Sequence, residues 1–383
     1  MKPIIFLYGF TVVSILIYSY TQVDLNLTLF TFSVYQHIQN LLLKIGYFHR
    51  PLSTLIYLAI VTSLTICYIW LIYQQKSASP KNSKYIKLLL FITLILLFAY
   101  PAFSYDIFNY IFDARIFVLH KSNPWTLTAL DFPDDLWTRF MRWTHRTYPY
   151  GPTWLPLTIP FYAIGLHKFT LTLVSFKLLG LVSYLAATFS IYQIAKTIKL
   201  HNPWLSVILF AFNPLIIIES IVSPHLDITM AALMVLGIWL ILSHSKTFGF
   251  ISLVISAGIK YVSIGIFPAV LLYLTKKISF SQMIELGVLL TYMLTLLVIS
   301  QREILPWYLI TPFALTVLIP KNKIAISLML SLTPAALLRY APFIYIGDYT
   351  PWVSQARNLI TGILVVSLLT IFFLLHKSLF KHK

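Results

Sequence analysis

Residues 104–125, SYDIFNYIFDARIFVLHKSNPW, and residues 131–152, DFPDDLWTRFMRWTHRTYPYGP, form a tract of mixed chemistry between long apolar segments. Most of the chain's Asp residues are gathered in it, beside Arg, His and Trp. On both sides the composition is that of a polytopic membrane protein. Of 383 residues, 59% are hydrophobic and 10% charged, with mean hydropathy +0.83. Stretches near the ~20 apolar residues needed to cross hydrocarbon recur from end to end. The segment that follows the tract, Trp154 to Gly165, decides the topology. Bounded by Pro152 and broken by Pro156 and Pro160, it is about twelve residues long and suits an interfacial or re-entrant helix better than a span. If it crossed, Lys196 and Lys199 would fall on the outer side, against the positive-inside bias.

With that segment held at the surface, about twelve spans are predicted, at 3–20, 53–73, 87–103, 169–195, 203–221, 226–243, 248–260, 262–275, 284–300, 305–320, 323–338 and 356–376. Lysines then collect in alternate connections: Lys76, Lys81, Lys84 and Lys87; Lys196 and Lys199; Lys246; Lys276 and Lys277; Lys321 and Lys323; and the tail lysines Lys377, Lys381 and Lys383. Both termini are therefore expected in the cytoplasm, with residues 104–168 as the large extracytoplasmic loop of one integral domain, 1–383. The net charge of +17 comes with no basic face carrying interleaved stacking residues, which argues against nucleic acid. Cys67 is the one cysteine, so no disulfide or metal framework is implied. The apolar stretch from Pro3 to Tyr20 lacks a small-residue cleavage site and reads as a retained first helix. No internal repeat is evident.

The strongest chemical signal is helical periodicity from Asp106 to His120. At 100° per residue Asp106, Asn109, Asp113 and His120 share one narrow stripe, while Ile107, Phe108, Ile111, Phe112 and Phe117 occupy most of the rest. Asp106 stands at or near the helix N-terminus, where the dipole favours the carboxylate and hence a proton acceptor; capping of that helix is the plainer alternative. Asn123-Pro124-Trp125 and Thr147 to Pro152 offer flat aromatic faces, including Tyr148 and Tyr150, suited to sugar rings or to the headgroup layer. Asp131, Asp134 and Asp135 read as a solvated turn around Pro133. Cations stand at the predicted outer helix ends, Arg302, Arg339 and Arg357, and Lys260 sits at a break between two short spans. Such groups can hold phosphate oxygens. Lys260 and Glu219, as ionisable residues in apolar segments, are functional candidates, with snorkelling or simple pairing as their plainer readings. The loop 339–355, rich in aromatics, suits a lid or acceptor platform, with interfacial anchoring as the plainer reading.

The order Asp106, Tyr110, Asp113, Arg115, Asn123-Pro124 and Tyr148-Pro149, closed by a Pro-containing interfacial helix, resembles the first large extracytoplasmic loop of GT-C superfamily glycosyltransferases. The similarity is nearest to bacterial, mostly mannose-transferring enzymes that use polyprenyl-phosphate sugars. Asn213-Pro214 with the following SPHLD, which carries His225 and Asp227, Lys260-Tyr261 with Pro268, and Pro306-Trp307-Tyr308 after Arg302 fit the same subgroup. Two features depart from it: three predicted spans precede Asp106, and Ile107 and Phe108 stand where a paired acid would. The resemblance implies an all-α bundle with amphipathic helices on its outer surface, inversion at the anomeric carbon, no nucleotide sugar, no cofactor and no metal.

The expectation is thus a hexosyltransferase, with mannose favoured by the resemblance, acting on a glycan or glycolipid acceptor at the membrane surface. Asp106, with Asp113 on its stripe, is the candidate acid/base. Lys260, Arg302 and Arg339 are candidates for the donor phosphate. Tyr110, Arg115, Asn123, Tyr148, Tyr150, His225, Asp227, Trp307 and Tyr308 are candidates for sugar or acceptor. A secondary transporter remains open, because many spans, broken helices and buried charges also describe carriers. So does a polysaccharide polymerase or ligase.

Overall fold

A computed structural model describes residues 2–74 and 83–380; Lys76, Lys81, Lys381 and Lys383, used above for orientation, lie outside them. Among the described residues the chain is helical throughout, without strands. The helices are α1 (Lys2–Ser19), α2 (Ser33–Leu43), α3 (Arg50–Gln74), α4 (Ser83–Leu96), α5 (Asp106–Val118), α6 (Trp154–Ile164), α7 (Phe169–Thr197), α8 (Pro203–Ala211), α9 (Pro214–Ile217), α10 (Leu226–Leu242), α11 (Lys246–Ile259), α12 (Ile266–Leu274), α13 (Phe280–Gln301), α14 (Ile310–Thr316), α15 (Lys323–Leu337), α16 (Tyr340–Ile346) and α17 (Pro351–Phe380).

Among the described residues six helical segments are long and apolar enough to cross a membrane: Ile4–Gln22, Arg50–Gln74, Phe169–Thr197, Phe280–Gln301, Lys323–Ile346 and Pro351–Leu375. A seventh arises if the pair Pro203–Ala211 and Pro214–Val222, bent by 56°, counts as one. The expected number of about twelve is not reached by length and apolarity. The remaining predicted spans are short helices such as α4, α10, α11, α12 and α14. A hydropathy window scores them like spans, but α10 and α14 are enclosed by protein. Surrounded by protein along nearly their whole length, they need not match the bilayer's thickness alone. The segment after Pro152 forms α6, 11 residues long, or about 16 Å, well short of the ~30 Å hydrocarbon layer.

α10 lies at the centre, packed against α7 and α11. Gly237 and Gly249 let α10 and α11 approach closely: a Cβ on either would stand 2.8 Å from the other's carbonyl oxygen, the small-residue contact typical of helices in lipid. Ser252 and Ser256 donate across this seam to the carbonyls of Leu233 and Met230, each at 2.7 Å.

The bend between α8 and α9 follows from local sequence. Asn213 caps α9 through Oδ1, which accepts from the Leu215 amide at 2.9 Å, and Pro214 takes the first helical position, where its missing N–H is harmless. The break frees carbonyls at the end of α8, and three tyrosines from other helices fill them. Tyr8 donates to Phe212 (2.9 Å), Tyr68 to Leu209 (2.7 Å) and Tyr184 to Ala211 (2.5 Å). Past α9 the chain widens into a π-turn, Ile218–Val222. Its last carbonyls, Ile221 and Val222, accept from the buried Lys177 ammonium at 2.6 and 2.9 Å, a cation placed where a helix C-terminus favours one.

Candidate active site

Two chain breaks meet near the N-terminus of α5. The linker before α5 is tied to the turn after the π-segment by the Phe103 amide, which donates to Ser223 Oγ at 3.1 Å. That turn is closed by the His225 amide donating to the Glu219 carbonyl at 3.1 Å, so His225 and Glu219 present their side chains together. Imidazole Nδ1 stands 3.5 Å from Asp106 Oδ2, and Nε2 stands 3.2 Å from Glu219 Oε2. These are ion-pair distances without aligned hydrogen bonds. Trp307 stacks flat on the ring, 3.7 Å between centroids and 11° between planes. Tyr340 donates to Glu219 Oε1 at 3.0 Å. His225 is pushed up to about 9: burial opposes its charged form, and the carboxylates of Asp106 and then Glu219 more than offset that. The His225 and Glu219 side chains are fully buried, whereas 19% of the Asp106 side chain remains open.

The second break is Lys260, extended between α11 and the short 3₁₀ turn Tyr261–Gly265. Its ammonium donates to Asp227 Oδ1 at 2.8 Å and lies 4.1 Å from the centre of the Tyr308 ring. Asp227, in the first turn of α10, is nearly inaccessible, and its other oxygen has no partner. The tract's C-terminal part docks here. The Gly151 and Thr153 amides donate to the carbonyls of Ile259 and Gly258 at 3.0 and 3.1 Å. Gly151 is required at this contact, because a Cβ would run into the Gly258 carbonyl. Tyr148 packs against Trp125 and donates to the Gly151 carbonyl at 3.0 Å, and its amide donates to Pro124. Tyr110 meets Tyr150 and Trp154 edge-on.

The predicted residues divide accordingly. Asp106, His225, Asp227, Lys260, Trp307, Tyr308, Tyr110 and Tyr150 come together, with Arg302 beside the Tyr308 hydroxyl. Asn123 and Tyr148 shape the loop, the former through an Oδ1 contact with the Trp125 amide at 2.9 Å. Arg115 turns to the opposite face of α5, where it pairs with Asp135 at 2.5 Å, donates to Tyr162 at 3.1 Å and covers Trp137. His120 falls beyond the helix and also meets Asp135, at 2.8 Å. The Arg115 guanidinium and His120 outweigh Asp135's partial burial and hold its carboxyl below the ordinary range. The polar stripe on α5 is covered: Asn109 and Asp113 are buried, and burial pushes Asp113 up to about 8. Arg339 faces α17, donating to the Arg357 carbonyl, Asn358 and Thr361 at 2.9–3.1 Å. Among the described residues no three His, Cys, Asp or Glu groups are gathered to hold a metal ion.

The sequence reading left three contributors without a place. Lys177 looks like one more lysine in an apolar helix. Arg142, 4.5 Å from the centre of the Tyr105 ring beside Asp106, is one of several arginines in its tract. Tyr340 carries no local signal for a partner 121 residues away.

The all-helical bundle, with its long apolar helices and a cluster of acid, imidazole and lysine at helix breaks, is that of a membrane protein with a polar site. The comparison with known families gives the particular lineage. The profile of the alpha-(1->6)-mannopyranosyltransferase N-terminal domain matches residues 29–276, and the chain belongs to that family. It is also similar to Alpha-(1->6)-mannopyranosyltransferase A of Corynebacterium glutamicum, 25% identical over 166 residues, which is 43% of this chain and 34% of that protein. The matched region thus spans about a third of that relative's length. No solved structure matches the chain.

Proposed function

We propose that the protein transfers a mannosyl residue from a polyprenyl-phosphate donor to a hydroxyl of a lipid or glycan acceptor, at the extracytoplasmic surface of the membrane. The observation that carries this reading is the partly open Asp106 carboxylate at the start of α5, backed by buried His225, beside the aromatic cluster that brings Lys260 and Arg302 to Tyr308. In the proposed reaction Asp106 removes the proton of the acceptor hydroxyl, whose oxygen bonds to the anomeric carbon as the bond to the donor phosphate breaks. The phosphate leaves as an anion held by Lys260 and Arg302, since fixed cations stabilise the charge that develops there. Tyr110, Tyr150 and Trp307 offer flat faces to sugar rings. The chemistry needs a deprotonated acid, cations and exclusion of water, all supplied by the chain itself. The short α6 and the lysines at Lys196, Lys199, Lys246, Lys276 and Lys277 support cytoplasmic termini and an outer Asp106 end.

The test is transfer of radiolabelled mannose from synthetic polyprenyl-phosphate mannose by purified protein in liposomes, beside Asp106→Asn. Transfer by the wild type and a loss of about 10²–10⁴-fold in a folded variant is the expected result. Full activity in Asp106→Asn removes the base assignment. Absence of transfer from every polyprenyl-phosphate sugar tried, with labelled solute accumulating inside the vesicles, makes the protein a carrier instead.

A further inference from the structure

We propose that Glu219 is a positioning residue for the transfer: it keeps His225 as an imidazolium, and that imidazolium holds one oxygen of Asp106 so that the other faces the acceptor hydroxyl. The inference rests on the transferase reading and deepens it.

The geometry is that of a closed chain of charges. Glu219 lies in an apolar segment, and its side chain is fully buried. A lone buried carboxylate is expensive, so it needs partners that are fixed in place. It has two, Tyr340 on one oxygen and His225 on the other. The imidazole cannot rotate away, because Trp307 covers its face and Asp106 stands at its other nitrogen. A π-turn is the device that makes this possible: the wide turn at Ile218–Val222 places residue 219 beneath residue 225, and Lys177 fixes its end. Two carboxylates then flank one ring. With a carboxylate at ion-pair distance from each nitrogen, the doubly protonated ring is the form that both carboxylates favour.

Other ionisable groups surround the ring from each packed element. Asp227 and Lys260 neutralise one another at 2.8 Å. Tyr308, with Arg302 beside it, lies under Lys260, Tyr110 and Tyr150 line the Asp106 side, and Tyr57 and Tyr340 lie near Glu219. None of these supplies a second charge directly against the imidazole, so removing the Glu219 charge acts on His225 first.

In this arrangement His225 takes no proton during transfer. The hydroxyl proton goes to Asp106, and the imidazolium stays charged, holding the carboxylate in its orientation before the step. The consequence is an alkaline limit to activity: once His225 loses its proton as pH rises, Asp106 is no longer held. Glu219 sets where that limit falls.

The experiment is the pH profile of mannosyl transfer for the wild type, Glu219→Gln and Glu219→Asp in liposomes, together with a ¹³C-histidine NMR titration in detergent. The His225 resonance is assigned by its loss in His225→Gln. In Glu219→Gln the alkaline limb is expected to fall by about 1–3 pH units, the effect of losing one opposite charge at this range. The turnover number drops at neutral pH while the donor KM holds, and Glu219→Asp recovers part of the shift. The His225 titration should move with the kinetic limb. If Glu219→Gln transfers less with an unmoved limb, Glu219 is only a packing residue and the proposal fails while the transferase reading stands. A neutral His225 at pH 7 in the wild type overturns it without any variant of Glu219. Absence of wild-type transfer removes both readings.

Discussion

Lys260 has two partners in the proposed chemistry, Asp227 at rest and the donor phosphate during transfer, and substitutions can separate them. Lys260→Met keeps the length and apolar stem of the side chain but removes the cation. Asp227 would then be a buried, unpaired carboxylate, since its other oxygen already lacks a partner. Breaking a buried pair from one side destabilises by about 3–5 kcal/mol. With about 2–4 °C of unfolding temperature per kcal/mol in larger domains, a drop of about 6–20 °C is expected. The double variant Lys260→Met/Asp227→Asn removes the stranded charge and should return most of that stability. Transfer should not return with it. Losing one group that stabilises charge in the transition state lowers the rate by about 10²–10³-fold. The assay is thermal unfolding by intrinsic fluorescence beside labelled mannose transfer, each for the two single variants and the double. Asp227→Asn alone leaves Lys260 in place and should keep most activity. A double variant as active as the wild type would refute the phosphate role of Lys260. An Asp227→Asn variant as inactive as the double would assign the effect to Asp227 instead.

Three further outcomes follow from the same geometry. Asp113→Asn should retain transfer within about tenfold and unfold at a higher temperature than the wild type at pH 8. The sign follows from its raised value of about 8: the wild type is progressively destabilised as pH rises from the unfolded carboxyl's ~3.9 to the folded value, and the amide lacks that slope, so equal gains at pH 4 and pH 8 would contradict it. Gly151→Val should fold but lose transfer by about 10²-fold, because displacing the tract from Gly258 moves Asp106 relative to Lys260 and an error of about 1 Å is enough; an active Val variant would show that the docking is not needed. Arg115→Ala should lower stability by about 2–4 kcal/mol, with kcat and donor KM preserved at 20 °C, and a raised donor KM would return Arg115 to substrate binding.

How far the sequence could be read depended on whether the deciding contact was local. Asp106 was legible because a helix start and a 3.6-residue stripe are both local facts. His225, Asp227 and Lys260 were legible as polar residues in apolar surroundings, where such groups need a reason. Arg115 belongs to the same tract, but its direction was settled by Asp135, twenty residues on, across a turn whose path no periodicity specifies. Asp113 shares Asp106's face, yet the aromatic tract around Tyr148 and Tyr150 covers that face, and the covering is a tertiary fact. The count of about twelve spans is not confirmed, for a related reason. Hydropathy measures the affinity of a segment for apolar surroundings, and α10 satisfies that affinity with protein on nearly every side instead of lipid.

The tyrosines around the α8–α9 bend invite a broader consequence. In a soluble protein a broken helix turns its free carbonyls toward solvent, and the break can drift because water is an undemanding partner. Here Tyr8, Tyr68 and Tyr184 reach the break from α1, α3 and α7, so three helices supply what solvent otherwise would. Any change in the bend angle must carry those helices along. The aromatic hydroxyls thus work as a fixed internal hydration layer, and they make the bend that delivers Glu219 and His225 a property of the whole bundle.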